Sequence, residues 1–176
     1  MIKRPGLYIV PTDRWYIERA VWLIAGGVLL ASTTLAVLVD SRLIVFVAIT
    51  GLTSIGVALT GFCPVGNVLH RFGLRGLLAD KTRPGLYFME TDRWYLERRI
   101  YVTVGINITL GSVLSIVHSP WWLAFTGFVG VAMVWFAATG YCIMANGLYW
   151  LGAEPRLAPE RAAACPVPDD ARPASA

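Results

Sequence analysis

Four apolar runs dominate the pattern of the chain: AVWLIAGGVLLASTTLAVLV (20–39), LIVFVAITGLTSIGVALTGF (43–62), IYVTVGINITLGSVLSIV (100–117) and WWLAFTGFVGVAMVWFAATGY (121–141). None contains Asp, Glu, Lys or Arg, and each has the roughly 20 residues that a helix rising 1.5 Å per residue needs to cross a bilayer core. Backbone polar groups in hydrocarbon must be satisfied within the segment, which selects helices, and the strict alternation of a barrel strand is absent. The expected fold is therefore an all-α integral membrane protein with four transmembrane helices.

The polar positions between these runs repeat. Shifted by 79 positions, RPGLYIVPTDRWYIER (4–19) falls on RPGLYFMETDRWYLER (83–98). Without a gap, the same shift takes Gly26 to Gly105, Gly51 to Gly130, Cys63 to Cys142, Asn67 to Asn146 and Gly73 to Gly152. The chain thus reads as two helical hairpins, residues 1–77 and 78–152, followed by a tail, 153–176, rich in Ala and Pro and expected to be disordered. Each copy holds an even number of spans, so both copies enter the membrane in the same direction. This is a parallel repeat with a quasi-two-fold axis along the membrane normal.

Before spans one and three the repeated TDRWYxER predicts a short interfacial helix. Thr12 and Thr91 are suitable caps, Asp13 and Asp92 suit the first turn, and Arg14–Glu18 and Arg93–Glu97 have the spacing of helical ion pairs. Arg14, Trp15, Tyr16, Arg93, Trp94 and Tyr95 are the expected interfacial anchors. Basic residues crowd the N-terminus and the central connection (Lys3, Arg4, Arg14, Arg19; Arg71, Arg75, Lys81, Arg83, Arg93, Arg98, Arg99), whereas the hairpins offer only Asp40-Ser41-Arg42 and His118-Ser119-Pro120. Both termini are therefore expected in the cytoplasm and the hairpins outside. The first residues mix acids and bases and offer no signal-peptide cleavage pattern, so the first span is expected to persist.

Composition agrees with this picture: 56% hydrophobic residues, 15% charged and a mean hydropathy of +0.60 over 176 residues. The net charge of +4 is distributed beside the spans and not over one soluble face, which argues for the lipid bilayer as partner and against nucleic acid. Small residues along the spans, Gly51 and Gly130 among them, predict close helix packing within the bundle or between protomers. Asn107 is expected to donate an interhelical hydrogen bond. A homo-oligomer or a larger membrane complex follows as the expected assembly.

The candidate chemistry is confined to thiols. Pro64 suits the first position of a helix PVGNVLHRF closed by Gly73, so Cys63 would cap it, with a depressed pKa and raised reactivity. Ile143 in place of the proline lets span four run on through Cys142 to Gly152, which makes Cys63 the more nucleophilic of the two. Simple packing is the alternative for both. A disulfide is disfavoured on the cytoplasmic side, and a soft-metal site lacks a CxxC pair; no metal or cofactor is expected. His70 adds interfacial charge and His118 sits in a hairpin. Cys165 lies in the tail. No nucleophile–base pair, phosphate loop or catalytic motif is present, so no enzyme activity is expected.

The Asp13-Arg14 pair, Arg19, Gly26-Gly27 and TGFCP (60–64) resemble the YgaP-like inner-membrane transmembrane domain of unknown function, a two-helix hairpin that occurs alone or fused to a rhodanese sulfurtransferase. Residues 1–77 resemble it well; 80–152 resemble it less, TGYCI having lost the proline. The resemblance implies a bacterial inner-membrane location, a tandem fusion replacing dimerisation, and a context of sulfur-species handling in which only Cys63 and Cys142 carry over. The function expected is a non-catalytic scaffold or accessory subunit of a membrane complex. The alternative is a thiol-dependent carrier or channel for a small sulfur species or soft metal ion.

Overall fold

The computed structural model describes residues 6–80 and 85–157. Lys3, Arg4, Lys81, Arg83, Cys165 and the tail beyond Leu157 lie outside the described residues. Within them the chain is helical, with isolated bridges but no strand: α1 (Ile17–Leu38), α2 (Ile44–Thr60), α3 (Pro64–Arg71), α4 (Leu96–Val117), α5 (Trp122–Thr139) and α6 (Ile143–Trp150), with a 3-10 turn Ser41–Leu43 leading into α2. Four of these, α1, α2 with its leading turn, α4 and α5, are long and apolar enough to cross a membrane.

The short helices stand after the second and fourth spans, not before the first and third. Residues 11–16 and 90–95 are not helical, and Tyr16 and Tyr95 occupy the N-cap positions in extended conformation. The reason is local. Arg19 donates from Nη1 to the carbonyls of Thr12 and Arg14, and Arg98 does the same to Thr91 and Arg93, so the carbonyls a helix would use are already bonded to guanidinium. Tyr16 and Tyr95 are buried within the protein, their hydroxyls donating to Pro11 O and Glu90 O. Trp15 and Trp94 remain exposed, each beneath a guanidinium, Arg19 at 4.3 Å and Arg98 at 4.0 Å from the ring centre.

Span four does not run on past Cys142. Gly140 ends α5 with φ 74°, as Gly61 ends α2 with φ 77°, a left-handed conformation that glycine adopts without a steric cost. The carbonyls of these glycines accept from Val10 N at 3.0 Å and Met89 N at 2.8 Å, which fixes the break. The glycine and its partner strand-like segment, not the following proline, decide where the helix stops.

The hairpins pack against each other more closely than within themselves: α1 lies along α5 and α2 along α4. Glycine makes both contacts possible. A Cβ at Gly51 would lie 2.5 Å from Thr109 Oγ1 and one at Gly105 would lie 2.7 Å from Gly51 O, while on the other side Cβ atoms at Gly26 and Gly130 would lie 3.0 Å from Gly130 O and Leu30 Cγ. Gly51 and Gly130 thus serve as the close-packing positions expected. Asn107 does not bridge helices; its Nδ2 donates to Thr103 O, one turn back in α4. Across the centre, α1 and α4 meet through side chains such as Trp22 and Tyr101, whose ring centres are 6.2 Å apart, with Leu29 and Ile108 fully buried at equivalent depth.

Candidate functional site

Polar chemistry concentrates at the end of the bundle opposite the hairpins, in two sites built from residues 79 apart. Glu18, in the first turn of α1, is fully buried and accepts from Leu77 N at 3.1 Å, Leu78 N at 2.6 Å and Tyr87 Oη at 3.0 Å. Glu97, in the first turn of α4, is equally buried and accepts from Arg156 N at 3.0 Å, Leu157 N at 2.8 Å and Tyr8 Oη at 2.9 Å. Neither glutamate pairs with the arginine four residues before it, because the carboxylate turns inward to amides and a phenol. A buried carboxylate that accepts several hydrogen bonds tolerates loss of water; one that accepts none does not.

Each tyrosine comes from the other copy and is itself held by an asparagine. Asn67 in α3 accepts from Tyr87 N at 2.9 Å and donates to Tyr87 O at 2.8 Å. Asn146 in α6 accepts from Tyr8 N at 2.7 Å and donates to Tyr8 O at 3.0 Å. Burial, then the neighbouring glutamate, pushes both phenols well above their ordinary range. They therefore act here as donors. The copies also exchange arginines: Arg19 Nε donates to Ala137 O at 2.7 Å and Arg98 Nε to Ala58 O at 2.6 Å, placing positive charge at the C-terminal ends of α5 and α2 where carbonyls lack helical partners.

The thiols stand apart from one another. Cys63 caps α3, its Sγ accepting from Gly66 N at 3.2 Å with Pro64 in the first turn, as the sequence predicts, and Gly73 follows the helix with φ 90°. Its pKa is nevertheless raised, not lowered, because burial outweighs the two backbone N–H groups that favour the thiolate. Cys142 occupies the same position before α6 without a hydrogen bond to its sulfur, and it is the more exposed of the two. The better-capped thiol is thus the less accessible one.

Each thiol lines an apolar cavity walled mainly by its own hairpin, with Tyr101, Ile108 and Met133 of the second hairpin closing the first cavity and Trp22 and Ser54 of the first closing the second. Cys63 borders one of about 170 Å³ between α1 and α2, with Val21, Val28 and Val65; Cys142 borders one of about 290 Å³ between α4 and α5, with Ile100, Asn107 and Met144. The valines on the first side occupy the positions of Ile100, Asn107 and Met144 on the second. Trp22, stacked on Phe136 at 4.4 Å, contributes to both. Among the described residues no three His, Cys, Asp or Glu side chains converge as a metal site.

Of the residues singled out from sequence, Arg14 and Arg93 offer their carbonyls to Arg19 and Arg98. His70 is exposed on α3, and His118 accepts from Trp122 Nε1 at 3.2 Å within its hairpin. Glu18, Glu97, Tyr8, Tyr87, Asn67 and Asn146 were not expected as a unit. Their signal was the identity of the two copies at positions outside the spans, PGLY and ER, which hydropathy alone leaves without a role. The tail is also ordered further than expected: Ala153 and Leu157 are buried, and Arg156 pairs with Glu90 and Asp92.

No family model, curated protein or solved structure matches the chain.

Proposed function

We propose that the chain is a non-catalytic, multi-pass protein of a bacterial inner membrane that serves as a scaffold or accessory subunit of a membrane complex. The observation that carries this reading is the reciprocal exchange at one end of the bundle. Glu18, Tyr87, Arg98 and their counterparts are all bonded between the copies, which ties four helices into one rigid unit and leaves the lipid-facing surface apolar. A unit of this kind is suited to holding neighbours in place. Recurrence of each cross-copy contact 79 residues later supports the parallel arrangement about an axis along the membrane normal. Arg71 and Arg75 near the exchanged end support a cytoplasmic position for that end and an outward position for the hairpins. On this reading the chain is a tandem of the YgaP-like hairpin, the second copy replacing a dimer partner.

The test is extraction of the chain with its native lipid in nanodiscs and measurement of particle mass. A stoichiometric assembly larger than one 19.3 kDa chain is expected. Recovery of single chains alone overturns the scaffold reading.

A second reading is favoured by one observation, the presence of a thiol in the equivalent cavity of each hairpin. It makes the protein a thiol-dependent carrier for a small sulfur species or soft metal ion. Because the thiols lie in separate cavities, each would act alone. Uptake of thiosulfate or Cu(I) into proteoliposomes should then vanish in the Cys63→Ser, Cys142→Ser double variant; unchanged uptake removes this reading.

A further inference from the structure

At the hairpin end, between the last turns of α1 and α4 and the start of α5, lies a third cavity of about 1150 Å³. Both copies line it at equivalent positions, Val37 with Ile116 and Ile44 with Leu123. Its wall differs from those of the thiol cavities by combining a cation with hydroxyls: Arg42, Ser41, Ser119 and, on α1, Thr34 and Thr33, the last buried with no partner for its Oγ1. Among the described residues the ion pairs belong to Arg156, so no described carboxylate pairs with the Arg42 guanidinium. The nearest acid in sequence, Asp40, is turned to the backbone, its Oδ1 accepting from Arg42 N at 2.8 Å.

We propose that this cavity holds the headgroup of an anionic phospholipid, with the phosphate on Arg42 and the neighbouring hydroxyls. Guanidinium presents a planar fork that matches phosphate oxygens in pairs, and serine and threonine hydroxyls complete such a shell. Among the described residues no acid lines the cavity, and Arg42 repels a choline or ammonium group, which favours an anionic headgroup over a zwitterionic one. The apolar part of the wall favours a lipid over a free phosphate. Val37, Leu38 and Ile116 run from the cavity onto the exposed surface at 62%, 76% and 72% exposure, a track for the first methylene groups of an acyl chain. The volume exceeds the roughly 300–1,000 Å³ usual for small-molecule sites, which leaves room for the start of an acyl chain beside the headgroup. The proposal rests on the reading that the four long helices cross a bilayer, which puts this end of the bundle at headgroup depth.

The experiment is native mass spectrometry of the full chain in detergent, with phosphatidylglycerol and phosphatidylcholine of identical acyl chains at equal concentration, and with inorganic phosphate as a separate addition. The unaltered chain should retain one phosphatidylglycerol about 10-fold over phosphatidylcholine: both carry the phosphate, but only phosphatidylcholine brings a trimethylammonium cation, which the Arg42 guanidinium repels. Arg42→Gln should abolish that preference, and Arg42→Lys should keep part of it. Arg42 is exposed, so both variants should melt with the unaltered chain. Equal retention of the two lipids, undiminished preference in Arg42→Gln, or displacement of the lipid by inorganic phosphate overturns the proposal. A failure here leaves the scaffold reading untouched, since particle mass in nanodiscs is measured independently.

Discussion

The Glu18 and Glu97 sites have the same acceptor, the same phenol and the same pair of amides, yet they are closed by different kinds of chain. Around Glu18 the amides belong to residues 77–78, inside the connection that joins α3 to α4; around Glu97 they belong to residues 156–157, beyond the last helix. The first closure is tethered on both sides by helices that must already be in place. The second depends on a short strap, and the strap carries additional contacts that the first lacks. Arg156 pairs with Glu90 and Asp92 and lies over Tyr95 at 4.6 Å, where its counterpart Leu77 makes none of these. Identical carboxylates can thus be held by tethering in one case and by added electrostatic contacts in the other.

The comparison is broken most severely by removing the strap. A chain stopped after Gly152 loses the amide donors of residues 156 and 157 and leaves the buried Glu97 carboxylate without their hydrogen bonds. Destabilisation of about 3–5 kcal/mol is expected, seen as a lowered melting temperature in detergent. Glu97→Gln in the shortened chain should recover part of the loss, because the buried charge is gone. A shortened chain that melts with the full one would show that the strap closes nothing.

Next in size are Tyr8→Phe and Tyr87→Phe. Each removes a hydrogen bond to a carboxylate at an otherwise unchanged site, and about 1.5–3 kcal/mol is expected for each, nearly equal between copies. Their pH dependence has a definite sign. A phenol whose pKa is raised in the folded state contributes stability that is complete below the unfolded value near 10 and is lost as pH rises toward the folded value. The full chain should therefore lose stability above about pH 10, and each Phe variant should flatten that slope.

These sites also mark how far the sequence could be read. The spans, the duplication and the capping of α3 by Cys63 follow from periodicity, from self-alignment and from Pro64, because each is a local property of consecutive residues. The exchange between copies is not local: nothing near Glu18 indicates that its partner is Tyr87 rather than Arg14. The end of α5 at Gly140 was legible only with knowledge of Val10, which takes the glycine carbonyl. The raised pKa of the Cys63 thiol escapes the sequence for a related reason. The helix N-terminus is visible in the sequence, whereas the burial that outweighs it depends on the packing of Tyr87 and Tyr101 from other segments.

Arg156→Gln should cost about 0.2–1 kcal/mol, falling with added salt, while Leu77→Gln should show no such salt dependence. Finally, maleimide should alkylate Cys142 faster than Cys63 at neutral pH, and the Cys63 rate should still be climbing above the ordinary thiol range, since burial raises its pKa. Faster reaction at Cys63 would restore the helix-end thiolate as the governing effect.

The pairing of α1 with α5 and of α2 with α4 has a consequence for synthesis. A ribosome adding roughly 5–20 residues per second needs roughly 4–16 s to traverse the 79 residues that separate a position from its counterpart. For that interval a first hairpin inserted in a bilayer would have the glycine face of α2 bare. In a dimer of separate hairpins the same wait would lengthen as the protein became scarce. Joined in one chain, it is set by the rate of translation and does not depend on how many copies the membrane holds.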